Sequence, residues 1–69
     1  MEIGQVFASN LKALRAKGSL SQEELAHQAG LDRTYISSLE RCIYSPTIDV
    51  VDKLAKVLGV TAADLLREP

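Results

Sequence analysis

Apolar residues recur along this chain at helical spacing, and short polar stretches interrupt the pattern. Ile3, Phe7, Leu11 and Leu14 fall at intervals of three and four, with Val6 widening the stripe. This predicts a helix over Ile3–Lys17, weakened in its first turn by Gly4 and ended by Gly18. Lys12, Arg15 and Lys17 gather toward its end, where cations suit the helix dipole. Leu25, Ala26 and Ala29 predict a second helix over Gln22–Ala29, with Glu23, Glu24, His27 and Gln28 toward water. Ser21 can cap it, and Glu24 stands at the capping-box spacing. Gly30 offers the left-handed conformation that ends a helix, and Asp32 can cap a third running from about Arg33 to Arg41. After Pro46, Thr47 caps a fourth helix. Its stripe is Ile48, Val51, Leu54, Ala55 and Leu58; Val50 and Val57 form a second stripe, and Gly59 ends it. Thr61 and Asp64 repeat the capping-box spacing and open a fifth helix. There Leu65 and Leu66 are adjacent and cannot both point fully into one core. The pattern is all-α.

The stretch Ser21 to Arg41 therefore reads as two short helices joined by a tight turn. At 100° per residue, Ile36, Leu39 and Glu40 of the third helix share one side, and Thr34, Ser38 and Arg41 lie nearly opposite. Ser37 and Tyr35 flank them, and Arg33 sits in the first turn. That outer face carries hydroxyls and cations with almost no alkyl surface. A face built only for solubility is more often rich in Lys and Glu, whereas this one suits a groove lined by hydrogen-bond acceptors and phosphates. Ala26 supplies the small residue that two steeply crossing helices need.

These residues carry a family resemblance. Leu20-Ser21-Gln22, Leu25-Ala26, Gly30-Leu31, Ile36-Ser37 and Leu39-Glu40-Arg41 resemble the helix-turn-helix of Cro/repressor-type regulators, the XRE family. The likeness continues through Pro46, Leu54-Ala55, Leu58-Gly59-Val60 and Leu65-Leu66, so it covers nearly the whole chain. The run Leu31-Asp32-Arg33-Thr34-Tyr35-Ile36-Ser37 narrows it toward the controller proteins of restriction–modification systems. The resemblance implies one compact five-helix, lambda-repressor-like DNA-binding domain over residues 1–69. Its helix-turn-helix would span 21–41, and helices 4 and 5, at 47–67, would form a dimerisation region. It further implies that Arg15 pairs with Glu40 to lock helix 1 to the recognition helix, and that Gln22 contacts a DNA phosphate. The family usually has glycine where Cys42 stands, so a left-handed residue there would be strained.

Length and charge bound the picture. Sixty-nine residues make one domain. A chain this short buries only ~60% of its unfolded surface, and without paired cysteines a second subunit is the expected supplement. The net charge of −1 argues by itself against nucleic acid and favours a small interaction module. Distribution counters the total, because several acids in the first 45 residues have capping or pairing work, which leaves a modestly positive face around the helix-turn-helix. Cys42 and His27 are single residues of their kind and make neither a structural zinc site nor a catalytic pair. Cys42 is expected packed or half-buried, and His27 on the surface. There is no signal-peptide pattern and no run of ~20 apolar residues, so a cytoplasmic chain is expected.

The reading that follows is a homodimeric, sequence-specific regulator of transcription on double-stranded DNA. It needs no cofactor, metal, membrane or small-molecule ligand. Arg33, Thr34, Ser37 and Ser38 are assigned to bases. Gln22, Tyr35, Arg41 and Ser45 are assigned to phosphates, and Val50, Val57, Leu65 and Leu66 to the dimer interface. Two half-sites would form an inverted repeat about one helical turn apart. A phage repressor, a plasmid regulator or an antitoxin subunit would share most of these residues. The rival from another class is a protein-interaction module that keeps the fold. An enzyme lacks support, since no paired carboxylates, activated nucleophile or phosphate-binding glycine loop appears.

Overall fold

Five helices follow one another in the computed structural model, which describes residues 2–69: α1 (Ile3–Lys17), α2 (Gln22–Ala29), α3 (Arg33–Glu40), α4 (Ile48–Leu58) and α5 (Ala62–Leu66). Each start after the first is fixed by a polar side chain. Ser21 Oγ accepts from Glu24 N at 2.9 Å while Glu24 Oε1 accepts from Ser21 N at 2.8 Å. Asp32 Oδ1 accepts from Thr34 N, Thr47 Oγ1 from Val50 N, and Thr61 and Asp64 repeat the reciprocal box. These bonds satisfy backbone donors that a helix start leaves free. They also hold the Glu24 and Asp64 carboxyls below their usual acid range, chiefly because backbone N–H groups donate to the charged form.

The first four helices end the same way. In each, an apolar residue beyond the end donates its N–H back across the last turn, and the residue before it is left-handed. Leu20 N reaches Arg15 O at 3.1 Å, Leu31 N reaches Ala26 O at 2.8 Å, Ile43 N reaches Ser38 O at 2.9 Å, and Val60 N reaches Ala55 O at 3.0 Å. The left-handed residues are Ser19, Gly30, Cys42 and Gly59, at φ 58°, 68°, 60° and 71°. Gly18, expected to end α1, does cap it, at φ −81°, and the residue in the left-handed conformation is Ser19 just beyond. Only glycine adopts it without steric cost, so Ser19 and Cys42 carry strain.

The core is one cluster. Phe7 and Leu11 of α1, Leu25 and Ala26 of α2, Ile36 and Leu39 of α3, and Val51, Leu54 and Ala55 of α4 meet over Leu65 of α5. α1 packs on α3 and α5, α2 on α3 and α4, and α4 on α5. Each fully buried aliphatic or aromatic side chain contributes about 1.5–3 kcal/mol by leaving water.

Two expectations from the helical projection fail at the edges. Ile48, placed on the buried stripe of α4, is 86% exposed. It stands in the first turn of α4, to one side of the line through Val51, Leu54 and Ala55, where no other helix covers it. Leu65, assigned to an interface with a second subunit, is fully buried in its own core. Of the adjacent pair it is Leu65 that points in and Leu66 that points out. Val50 and Val57 are half-buried, packed in part against this same core.

The placement of α5 depends on a residue the hydrophobic pattern passes over. Asn10 of α1 aims its side-chain amide at the end of α5. Nδ2 donates to Leu65 O at 3.0 Å and Arg67 O at 2.8 Å, with Asp64 O at 3.4 Å. A helix of five residues cannot satisfy its own last carbonyls, and a side chain more than fifty positions away in sequence does so here.

Candidate nucleic-acid interface

The interface is built on how α3 is held. Arg15 on α1 places its guanidinium against the Glu40 carboxylate at the end of α3: Nε to Oε2 at 2.5 Å and Nη2 to Oε1 at 3.0 Å. The side chains are 16% and 3% exposed, so the pair is largely shielded from water. Hydrogen bonding to Glu40 raises the affinity of Arg15 for its proton, although burial opposes it. The third point of the guanidinium, Nη1, donates to Leu20 O at 2.8 Å. Arg15 thus joins α1, the turn before α2 and the end of α3 through one planar fork. Gln22, the first residue of α2, adds its amide to the same carboxylate, Nε2 to Oε1 at 3.1 Å. Its side chain, assigned to a DNA phosphate by the family resemblance, is engaged inside the protein. One amide hydrogen and the carbonyl oxygen are left for anything outside.

With its inner side fixed, α3 leaves Arg33 and Thr34 exposed, as is Arg41 at its C-cap, and Ser37 lies half-exposed between them. Asp32 caps the helix, and its carboxylate is occupied by the Thr34 N–H. The outward strip is thus two guanidinium groups and two hydroxyls, with no alkyl side chain. Tyr35 is half-buried, and its ring lies 6.5 Å from that of Tyr44, tilted by 33°. Tyr44 and Ser45 are exposed on the loop that follows α3.

Ser38 is a correction. The projection puts it on the outer face with Thr34, but it is only 6% exposed. The loop after α3 folds back over this flank: Ile43 N bonds to the Ser38 carbonyl, and the tilted Tyr44 ring lies beside that of Tyr35. The covered arc of α3 therefore runs through Ile36, Leu39, Tyr35 and Ser38, and a buried serine offers nothing to a base. The outward strip is narrower than the projection gives and is centred on Ser37. Cys42, expected packed or half-buried, is exposed in that loop.

Among the described residues there is no cluster of His, Cys, Asp and Glu that could hold a metal ion. No helix among those residues is long and apolar enough to cross a membrane.

Residues 11–65 match the family described as "Helix-turn-helix", HTH_3. The chain belongs to that family. Its helix-turn-helix is α2, the Gly30 turn and α3. Among curated relatives, a "Neisseria hypothetical transcription factor" from Neisseria meningitidis serogroup B is 43% identical over 68 residues, covering 99% of this chain. The chain spans 64% of that relative's length. Among solved structures, the restriction-modification controller protein C.AhdI from Aeromonas hydrophila is 35% identical with a TM-score of 0.86, over 90% of this chain and 94% of that one. The master regulator for biofilm formation SinR, solved in complex with DNA, is 34% identical with a TM-score of 0.85, over 88% of this chain and 98% of that one. The helix-turn-helix chain thus sits among transcription regulators, a non-enzymatic class.

Proposed function

We propose that this chain is a cytoplasmic, sequence-specific DNA-binding regulator of transcription that works as a homodimer on an inverted-repeat operator. The observation that carries the reading is the outward strip of α3. Arg33, Thr34, Ser37 and Arg41 face solvent without alkyl surface, while Arg15 and Gln22 brace the helix from behind through Glu40. A protein-binding face shows aromatic or aliphatic anchors at its centre, and this strip has none. A major groove presents acceptors on guanine and the methyl of thymine, for which a guanidinium and a threonine are suited partners. Arg33 is assigned to guanine, with Thr34 and Ser37 on neighbouring base edges. Arg41, Tyr35, Ser45 and the free edge of Gln22 hold phosphates and set the register. SinR, of similar fold, was solved with DNA, which supports this use of the fold.

Within that class, we place the chain with controllers of restriction–modification systems, which would act on their own promoter. C.AhdI supports this, because it matches over nearly the full length of both chains. The test is a binding selection from random duplex DNA at two salt concentrations. The expected result is an inverted repeat, enriched less at high salt as counterions compete for the phosphates. Arg33→Ala should weaken binding to it by roughly five- to 150-fold, the equivalent of about 1–3 kcal/mol at one base pair. No enriched motif from folded protein at low salt would refute the reading and favour a protein-interaction role.

A further inference from the structure

Tyr44 has no place in the outward strip of α3, yet 59% of it is left in water. Phe7 lies in the core, so Tyr35 and Tyr44 are the only aromatic rings toward the surface. Their centroids are 6.5 Å apart and their planes tilt by 33°, inside the range over which two rings attract. Tyr35 also packs in part against the core, so it has the core as one neighbour and the Tyr44 ring as another. The backbone under Tyr44 is held independently of that ring. Cys42 N bonds to Leu39 O at 3.1 Å and Ile43 N to Ser38 O at 2.9 Å. Cys42 Sγ lies 3.6 Å from the point that a Cβ on Gly4 would occupy, so the loop rests on the start of α1 at a residue without a side chain. Just beyond the loop, Thr47 caps α4.

From this we infer that Tyr44 is a positioning residue for DNA binding: its ring fixes that of Tyr35, so that the Tyr35 hydroxyl meets a phosphate already oriented. This role rests on the DNA-reading use of α3 and on the assignment of Tyr35 to a phosphate. A tyrosine turns about two side-chain bonds, and the hydroxyl at the end of a free ring sweeps a wide arc. Ordering such a side chain on binding costs affinity, and a neighbour that orders it beforehand removes that cost. α3 itself has no such neighbour to offer. The residues one turn further along it are Ser38 and Leu39, both buried, so neither presents a face to the solvent side of the Tyr35 ring. The loop supplies what the helix lacks. The role belongs to the Tyr44 ring and not to its hydroxyl, and it acts on DNA only through Tyr35.

The test compares wild type, Tyr44→Phe, Tyr44→Ala, Tyr35→Phe and the double variant Tyr35→Phe with Tyr44→Ala. Affinity is measured by fluorescence anisotropy on the duplex motif that wild type selects, and circular dichroism confirms folding. Tyr44 is largely exposed, so Tyr44→Ala should fold as wild type does. Tyr44→Phe keeps the ring and should bind within about twofold of wild type. Tyr44→Ala should weaken binding by roughly two- to tenfold for each subunit bound, the strength of one aromatic pair. In the Tyr35→Phe background the same change should cost nothing further, because no hydroxyl remains to be positioned. Tyr44→Phe losing as much as Tyr44→Ala would make the hydroxyl a direct contact and overturn the inference. Losses that add in the double variant overturn it too, as does a Tyr44→Ala protein that binds as well as wild type. In each of those outcomes wild type still selects its motif and the DNA reading stands. A wild type that selects no motif removes both.

Discussion

Replacing Arg15 by Met removes the cation from a carboxylate that has almost no access to water. The Glu40 side chain is 3% exposed and takes two of its contacts from Arg15, so the substitution leaves it with the Gln22 amide alone. Breaking a buried pair by deleting one partner costs about 3–5 kcal/mol, because the remaining charge stays desolvated. Arg15 is 16% exposed, so water can partly enter the vacated space, and the lower end, about 3 kcal/mol, applies. The loss of the Nη1 bond to the Leu20 carbonyl acts in the same direction. A domain of this size has a total stability of roughly 3–10 kcal/mol, so the change takes a large share of it. At about 4–8 °C per kcal/mol, the melting temperature should fall by about 12–24 °C. Thermal and urea unfolding followed by circular dichroism give the value directly. The double variant Arg15→Met with Glu40→Met should regain much of the loss, because no buried charge remains. A single variant that loses less than about 1 kcal/mol, or a double variant no better than the sum of the two singles, would refute the buried-pair argument. DNA affinity lost without any fall in stability would refute it too and make Arg15 a DNA contact.

Three further outcomes are expected. Asn10→Asp keeps the shape but replaces the amide donor with an acceptor facing the carbonyls of Leu65 and Arg67. It should cost about 1–3 kcal/mol by denaturant titration and speed amide exchange in α5 before the other helices. Cys42→Gly removes the clash that a side chain meets at φ 60° while loosening the unfolded chain, so a net gain of about 0.5–1 kcal/mol is expected as a higher urea midpoint. The Glu24 and Asp64 carboxyls have lowered acid constants in the fold, so they stabilise it above their ordinary values of 4.5 and 3.8. That contribution is lost as the pH falls through the lowered values. Melting temperatures should therefore drop below about pH 4.5, and less so in Glu24→Gln than in wild type.

Most of the local structure is determined by residues close together in sequence. Ser21 with Glu24, Asp32 with Thr34, and Thr61 with Asp64 fix helix starts through bonds spanning two or three residues, and Gly30 and Gly59 turn the chain where their lack of a Cβ allows it. These are visible in the sequence because both partners lie in one short window. The family likeness likewise rests on positions read in register along the chain.

What lies between elements was decided only by folding. Ser38 is inside because the loop after α3 closes over it, and no projection of α3 alone contains that loop. Ile48 is outside because it stands in the first turn of α4, to one side of the line through Val51, Leu54 and Ala55, so an apolar residue near a core stripe can still meet water. Asn10 reads as an ordinary polar position in α1 and becomes the partner of α5 only when two segments more than fifty residues apart are packed together. Gln22 is drawn to Glu40 for the same reason. Helical period and capping are short-range and are written in neighbouring residues. Burial and hydrogen-bond partnership depend on which surfaces the other helices cover, and that is a property of the packed molecule.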